Sequence, residues 1–204
     1  MAYPAMGMKN AESQCLVRYE VYEHLLSAAP KLPEGIKFKI WDAWRPFSLQ
    51  QELFEVYSAK IEQTFDLSSF TENEREEFIS RFVSVPLNDT SHLPVHTTGG
   101  AIDLTLIDMY GNELDMGTAF DEFTEKTHTA FFEASDNDQV RVNRRMLYRI
   151  MTEGGFTNLP SEWWHYDYGN RFWAYYNNVP AIYRGVFEKD HIDLLEKVYI
   201  KNTA

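Results

Sequence analysis

The chain has one cysteine, Cys15, so no disulfide can close within it. A lone thiol is more often an inert, partly buried side chain than a nucleophile, and Cys15 is expected to be that. No apolar run approaches the ~20 residues that span a bilayer, so no membrane anchor is expected. Met1 to Glu12 lacks both the charged and the apolar parts of an export signal, which makes a cytoplasmic location the expectation. Basic residues are scarce: 19 Lys and Arg stand against 31 Asp and Glu, a formal net charge of -12. Nucleic acid and anionic membrane both need a basic surface, and neither is expected as a partner. Linkers, repeats and low-complexity stretches are missing too, so residues 1–204 are read as a single domain.

What is present is an ordinary apolar share of 44% and a high aromatic content of 15%, with Trp and Tyr crowded into 163–183. Residues 14–29 carry Val21, Tyr22, Leu25, Leu26 and Ala29 at helical spacing. Ile36, Phe38 and Ile40 alternate with polar neighbours as a strand, and Pro46 stops it. Ser48 is placed to cap a helix through about 63, with Leu49, Leu53, Val56, Tyr57 and Ile61 inward. Thr71-Glu72-Asn73-Glu74 is a capping box opening a second helix. A loop over 84–99 leads to a strand from Ala101 to Asp108 and a turn at Tyr110-Gly111-Asn112. Residues 117–137 look irregular, and 139–153 form a helix that Gly154-Gly155 stops. Residues 162–168 and 172–176 read as aromatic-rich strands. Helices early and strands late, without alternation, predict an α+β fold with a mostly antiparallel sheet.

Two distant stretches carry candidate chemistry. His96-Thr97-Thr98-Gly99-Gly100-Ala101-Ile102-Asp103 offers an imidazole and a carboxylate, and Gly99-Gly100 lets the loop fold back toward the strand. Glu162-Trp163-Trp164-His165 offers a second imidazole with a spare carboxylate three residues earlier. Three protein ligands leave a fourth position for water, which separates a catalytic zinc site from a structural one. The unligated Glu162 could take a proton from that water. Each stretch also fits a blander account: a surface Asp with an unrelated loop His, or an aromatic strand with a solvated Glu. The HExxH helix of many metalloproteases is absent. Side chains alternate along a strand, so Glu162 and His165 point to opposite faces unless Glu162 lies beyond the strand's end or a bulge intervenes. His92 is an alternate ligand ranked below His96; His24, His128 and His191 are expected at the surface. Arg45, between a strand and a helix, could steady an oxyanion or form a surface ion pair with Asp42.

With these residues the chain resembles the zinc D-alanyl-D-alanine dipeptidases of the VanX type. The likeness rests on five blocks between about 36 and 168: Trp41-Asp42-Ala43-Trp44-Arg45-Pro46, His96 to Leu106, Asp115 to Asp121, Asn143-Arg144-Arg145, and Glu162-Trp163-Trp164-His165-Tyr166. The resemblance implies a D,D-peptidase or hedgehog-like fold and one Zn2+ per chain held by His96, Asp103 and His165. It implies Glu162 as catalytic base, Arg45 as transition-state stabiliser, Asp121 as receptor for the substrate's ammonium, and Tyr3 as a substrate contact. The implied reaction is hydrolysis of D-alanyl-D-alanine or a similar small dipeptide. Alternatives are a D,D-carboxypeptidase acting on cell-wall peptides and an inactive zinc-holding binding module. Pro94 departs from the family pattern, which has Ser two residues before the first His. It removes a hydroxyl that Thr97 or Thr98 could replace.

Overall fold

The computed structural model describes residues 1–87, 93–134 and 138–187. His92, His191 and the tail beyond 187 lie outside the described residues. In chain order the elements are α1 (Ala2–Ala5), α2 (Tyr19–Ala28), β1 (Lys37–Asp42), α3 (Phe47–Thr64), α4 (Glu72–Ile79), β2 (Ala101–Ile107), α5 (Asp138–Glu153), β3 (Thr157–Asn158), β4 (His165–Asp167) and α6 (Arg171–Asn177). The four strands form one sheet in the order β1-β2-β4-β3, with every pair antiparallel. This is the α+β architecture that the sequence pattern predicts. Among the described residues, no helix is long and apolar enough to cross a membrane.

The central strand β2 is buried on both faces. Ile102, Leu104 and Leu106 join Val21 and Leu25 of α2 and Leu147 and Met151 of α5 in the main core. Asp103 and Thr105 alternate to the other face, where a polar site can form. A second apolar cluster binds α3 through Leu49, Leu53, Tyr57 and Ile61 to Tyr3 of α1 and to Ile79. The capping box opens α4 as expected, with the Thr71 side chain accepting from the Glu74 N–H.

Several expectations are corrected. Residues 14–18 are not helical, because their backbone groups bond to other segments: Arg18 N donates to Gly99 O, and the Leu16 carbonyl accepts from Trp44 N. Ser48 does not cap α3; the helix already begins at Phe47, after Pro46, with no side-chain cap. Residues 172–176 are helix, not strand. The Asn170 side chain accepts from Phe172 N and Trp173 N, and that cap overrides the β preference of the aromatics. On α5, whose apolar positions in the sequence include Val142, Met146, Ile150 and Met151, the buried face runs instead through Val140, Asn143, Arg144, Leu147, Ile150 and Met151, while Val142 is 51% exposed. His24 is half-buried rather than on the surface. Its Nδ1 faces the Gly154 carbonyl at 2.7 Å, and its ring lies 4.1 Å from that of Tyr168.

One irregularity was not foreseen. Ile40 pairs with Leu104, yet Asp42 pairs with Asp103, so Trp41 is an extra residue on β1. Regular pairing would turn Asp42 to the face of Ile40 and Leu104. The bulge re-aims it to the side of Asp103. The loop before β2 is equally constrained. Gly99 takes a left-handed φ of 69°, and Gly100 passes against the Tyr168 carbonyl, to which no side chain leaves room. A Cβ at Gly100 would collide with that carbonyl and approach the Tyr183 ring to 2.9 Å. Gly100→Ala is therefore expected to cost more than ~1 kcal/mol, lowering Tm by at least about 2–4 °C. A thermal melt superimposable on the parent would overturn this account of the loop.

Candidate metal centre

The site grows from three backbone segments. Val95–Thr98 form a 3-10 turn that carries His96, and the His96 carbonyl accepts from Arg45 N, tying the turn to the end of β1. β2 supplies Asp103, which pairs directly with His165 of β4. Glu162 lies beyond the strand's end, one of the two arrangements that side-chain parity allows. It lies in the turn before β4, with Glu162 N donating to Leu159 O and His165 N to Glu162 O. Asn158 Nδ2 holds this turn by donating to the Glu162 and His165 carbonyls at 3.0 and 2.9 Å. The buried Trp163 and Trp164 anchor it from below.

Hydrogen bonding assigns the tautomers of both imidazoles. His96 Nδ1 donates to the Ala43 carbonyl at 2.8 Å, leaving Nε2 as a lone pair. His165 Nε2 donates to Asp167 Oδ1 at 3.1 Å, leaving Nδ1 as a lone pair. These two nitrogens lie 3.2 Å apart. Asp103 Oδ2 is 3.3 Å from the first and Oδ1 3.1 Å from the second. Buried donor atoms gathered this closely, with ligand atoms all within 4.8 Å of one another, are placed to share one cation. Two imidazoles and a carboxylate are the donor set that zinc takes when it keeps an open position. The residues therefore fit the ion.

Burial disfavours the charge on Asp103, but His96 and His165 outweigh it and hold the carboxyl well below the usual range. Burial also opposes a charge on His165, and the Asp167 and Asp103 carboxylates more than reverse that, raising its pKa. Glu162 Oε2 stands 3.7 Å from His165 Nδ1, with a side chain 26% exposed. Burial, with the charges of Asp103 and Asp121, pushes its pKa up to about 7 against the pull of His165 and Arg45.

Arg45 forms no surface ion pair. It is 8% exposed and donates from Nε to Asp42 at 2.8 Å, from Nη1 to Gln50 at 2.7 Å and from Nη2 to the Tyr3 hydroxyl at 3.1 Å. Its Nη2 lies 3.5 Å from Asp103 Oδ2. Asp121 sits at a left-handed φ of 56° and accepts on Oδ2 from Tyr3 and Tyr57 at 2.9 and 2.8 Å. Thr97 and Thr98, candidates to replace the hydroxyl lost at Pro94, donate instead to the Pro94 and Val95 carbonyls of their own turn. Cys15 is partly buried; burial, aided by Asp42, pushes its thiol up to about 12, so it is no nucleophile.

All seven candidate residues are thus gathered in one connected cluster. Gln50, Tyr57 and Asp167 belong to it as well and were not singled out from sequence, and Asp42 belongs to it as the buried rather than surface partner of Arg45. Tyr57 had one signal: a tyrosine at an inward helix position needs a partner for its hydroxyl.

The family model described as D-ala-D-ala dipeptidase matches residues 6–182. The chain belongs to that family. A D-alanyl-D-alanine dipeptidase of Enterococcus faecium is 34% identical over 151 residues, 72% of this chain and 70% of that one. One of Synechocystis is 31% identical over 153 residues, 68% of this chain, and the chain spans only 62% of that relative's length. Among solved structures, VanYB in complex with D-alanine-D-alanine superposes with a TM-score of 0.48 at 15% identity, over 80% of this chain and 78% of that one.

Within this dipeptidase-family site, Asp167 is the carboxylate behind a histidine. Such partners fix the ring and raise its basicity as a ligand. Asp167→Asn is expected to weaken zinc binding by roughly 10–100-fold, read by competition with a chromogenic chelator. An unchanged dissociation constant would remove Asp167 from that role.

Proposed function

We propose that the protein is a zinc dipeptidase acting on D-alanyl-D-alanine or a similar small D,D-dipeptide. The observation that carries this reading is the convergence of three potential metal donors, His96 Nε2, His165 Nδ1 and Asp103, beside a carboxylate outside the donor set. Family membership supplies the substrate class, and the curated relatives bear that activity in their names.

His96, Asp103 and His165 would hold one zinc ion. Bound there, zinc supplies a Lewis acid that lowers the pKa of water and polarises the scissile carbonyl. Glu162 takes the proton of the attacking water and returns it to the leaving amine nitrogen. A carboxylate beside the proposed donors but outside their set is placed for both tasks. Arg45 is held by Asp42, Gln50 and Tyr3, so its charge meets the developing oxyanion without reorganising. Asp121 receives the free ammonium of the dipeptide, and Tyr3, bonded to both Asp121 and Arg45, links the two ends of the site.

Glu162→Ala is expected to retain stoichiometric zinc and lose ~10²–10⁴-fold in kcat. Undiminished turnover would remove Glu162 as the base. N-acetylation of D-Ala-D-Ala deletes the charge that Asp121 is proposed to bind, so kcat/KM for the acetylated compound should fall steeply. Equal hydrolysis of both would favour a D,D-carboxypeptidase instead.

A further inference from the structure

We propose that Tyr57 is a positioning residue for recognition of the substrate's amino group: with Tyr3 it clamps one oxygen of Asp121 and turns the other toward the ammonium. This rests on the reading of Asp121 as the ammonium receptor.

Both phenols donate to the same atom. Tyr3 reaches Oδ2 at 2.9 Å and Tyr57 reaches it at 2.8 Å. Among the described residues, no donor is seen on Oδ1. A carboxylate has two equivalent acceptors, and free rotation would present either one. Fixing Oδ2 with two donors from different helices defines the plane of the group and reserves Oδ1.

The backbone adds to the constraint. Asp121 holds a left-handed φ of 56°, a conformation that residues with a side chain adopt sparingly and that tends to occur at functional sites. The side chain is thus aimed both by its own backbone and by the phenols. Its carboxyl is pushed up to about 6 by burial and by the charge of Asp103, and the two phenol bonds act the other way, favouring the ionised acceptor.

Packing does not explain the Tyr57 hydroxyl. The ring is buried and meets the Phe123 ring edge-on at 5.2 Å. Lys60 Nζ lies 5.2 Å from its centroid. Phenylalanine would satisfy every one of these contacts and avoid burying a hydroxyl. The hydroxyl serves Asp121, and through it whatever Asp121 binds. Because Tyr57 comes from the middle of an 18-residue helix whose neighbouring turns insert Leu53 and Ile61 into the same cluster, the donor is rigidly placed.

The test is Tyr57→Phe in the zinc-loaded protein, with kcat and KM measured separately for free and N-acetylated D-Ala-D-Ala. Asp121→Asn serves as the reference, and zinc content and Tm are recorded for all. The expected result is a rise in KM for the free dipeptide of ~10-fold or more, as for loss of a hydrogen bond to a charged group. The expected kcat changes by less than about 3-fold, and the acetylated substrate is unaffected. A parallel fall for both substrates, or no change for either, marks Tyr57 as a structural residue and overturns the clamp. If Asp121→Asn loses the preference for the free amine while Tyr57→Phe keeps it, the clamp alone fails. If Asp121→Asn keeps the preference, the ammonium reading fails and the clamp with it.

Discussion

The Asp103 carboxylate sits in the middle of the central strand at 2% exposure, and the surrounding structure compensates that charge. A buried carboxylate without partners is costly enough to be protonated or to unfold its surroundings. Here His96, His165 and Arg45 approach it from a loop, a neighbouring strand and the end of β1. Each of those partners needs its own support. Ala43 O holds His96, Asp167 holds His165, and Asp42 with Gln50 holds Arg45. The sheet order follows from the same requirement. Only a central strand can present one residue to partners arriving from both sides.

The Trp41 bulge belongs to this logic. Without it Asp42 would face Ile102 and the apolar core, and Arg45 would lose its closest carboxylate. Removing one member of a buried ion pair typically costs ~3–5 kcal/mol, because the other charge is left uncompensated. One extra residue in β1 therefore decides whether the arginine can be buried beside the proposed metal ligands. Bulges next to active sites re-aim side chains in this way.

Local pattern made much of this legible. Alternation placed Asp103 opposite the core row of β2, Gly99-Gly100 announced the fold-back that brings His96 near, and parity left Glu162 either beyond the strand's end or behind a bulge, of which the first is found. The capping box at Thr71 was readable because both of its partners lie within four residues. The elements that misled depend on distant groups. Residues 14–18 carry a helical pattern, but their N–H and C=O groups are claimed by Gly99 and Trp44. Residues 172–176 are rich in aromatic strand formers, yet Asn170 caps them into a helix. The register shift at Trp41 leaves no trace in β1 itself, because it exists only against β2. The Tyr57 partner lies 64 residues away, beyond any window in which spacing carries information.

Charge balance ties the metal reading to the substrate reading. When ionised, Asp42, Asp103, Asp121, Glu162 and Asp167 bring five negative charges to the cluster, and Arg45 returns one positive charge, with both histidines neutral as metal ligands must be. The surplus is four negative charges in a largely buried space. A divalent cation among His96, Asp103 and His165 would reduce the surplus to two. One unit of what remains is on Asp121, and the ammonium of the proposed substrate would neutralise it. A peptide with a blocked amino end would leave that charge uncompensated inside the site. On the proposed reading, the acid that would receive a free amine belongs to the same electrostatic arrangement that buries the metal ligands, so recognition and stability would draw on one set of contacts.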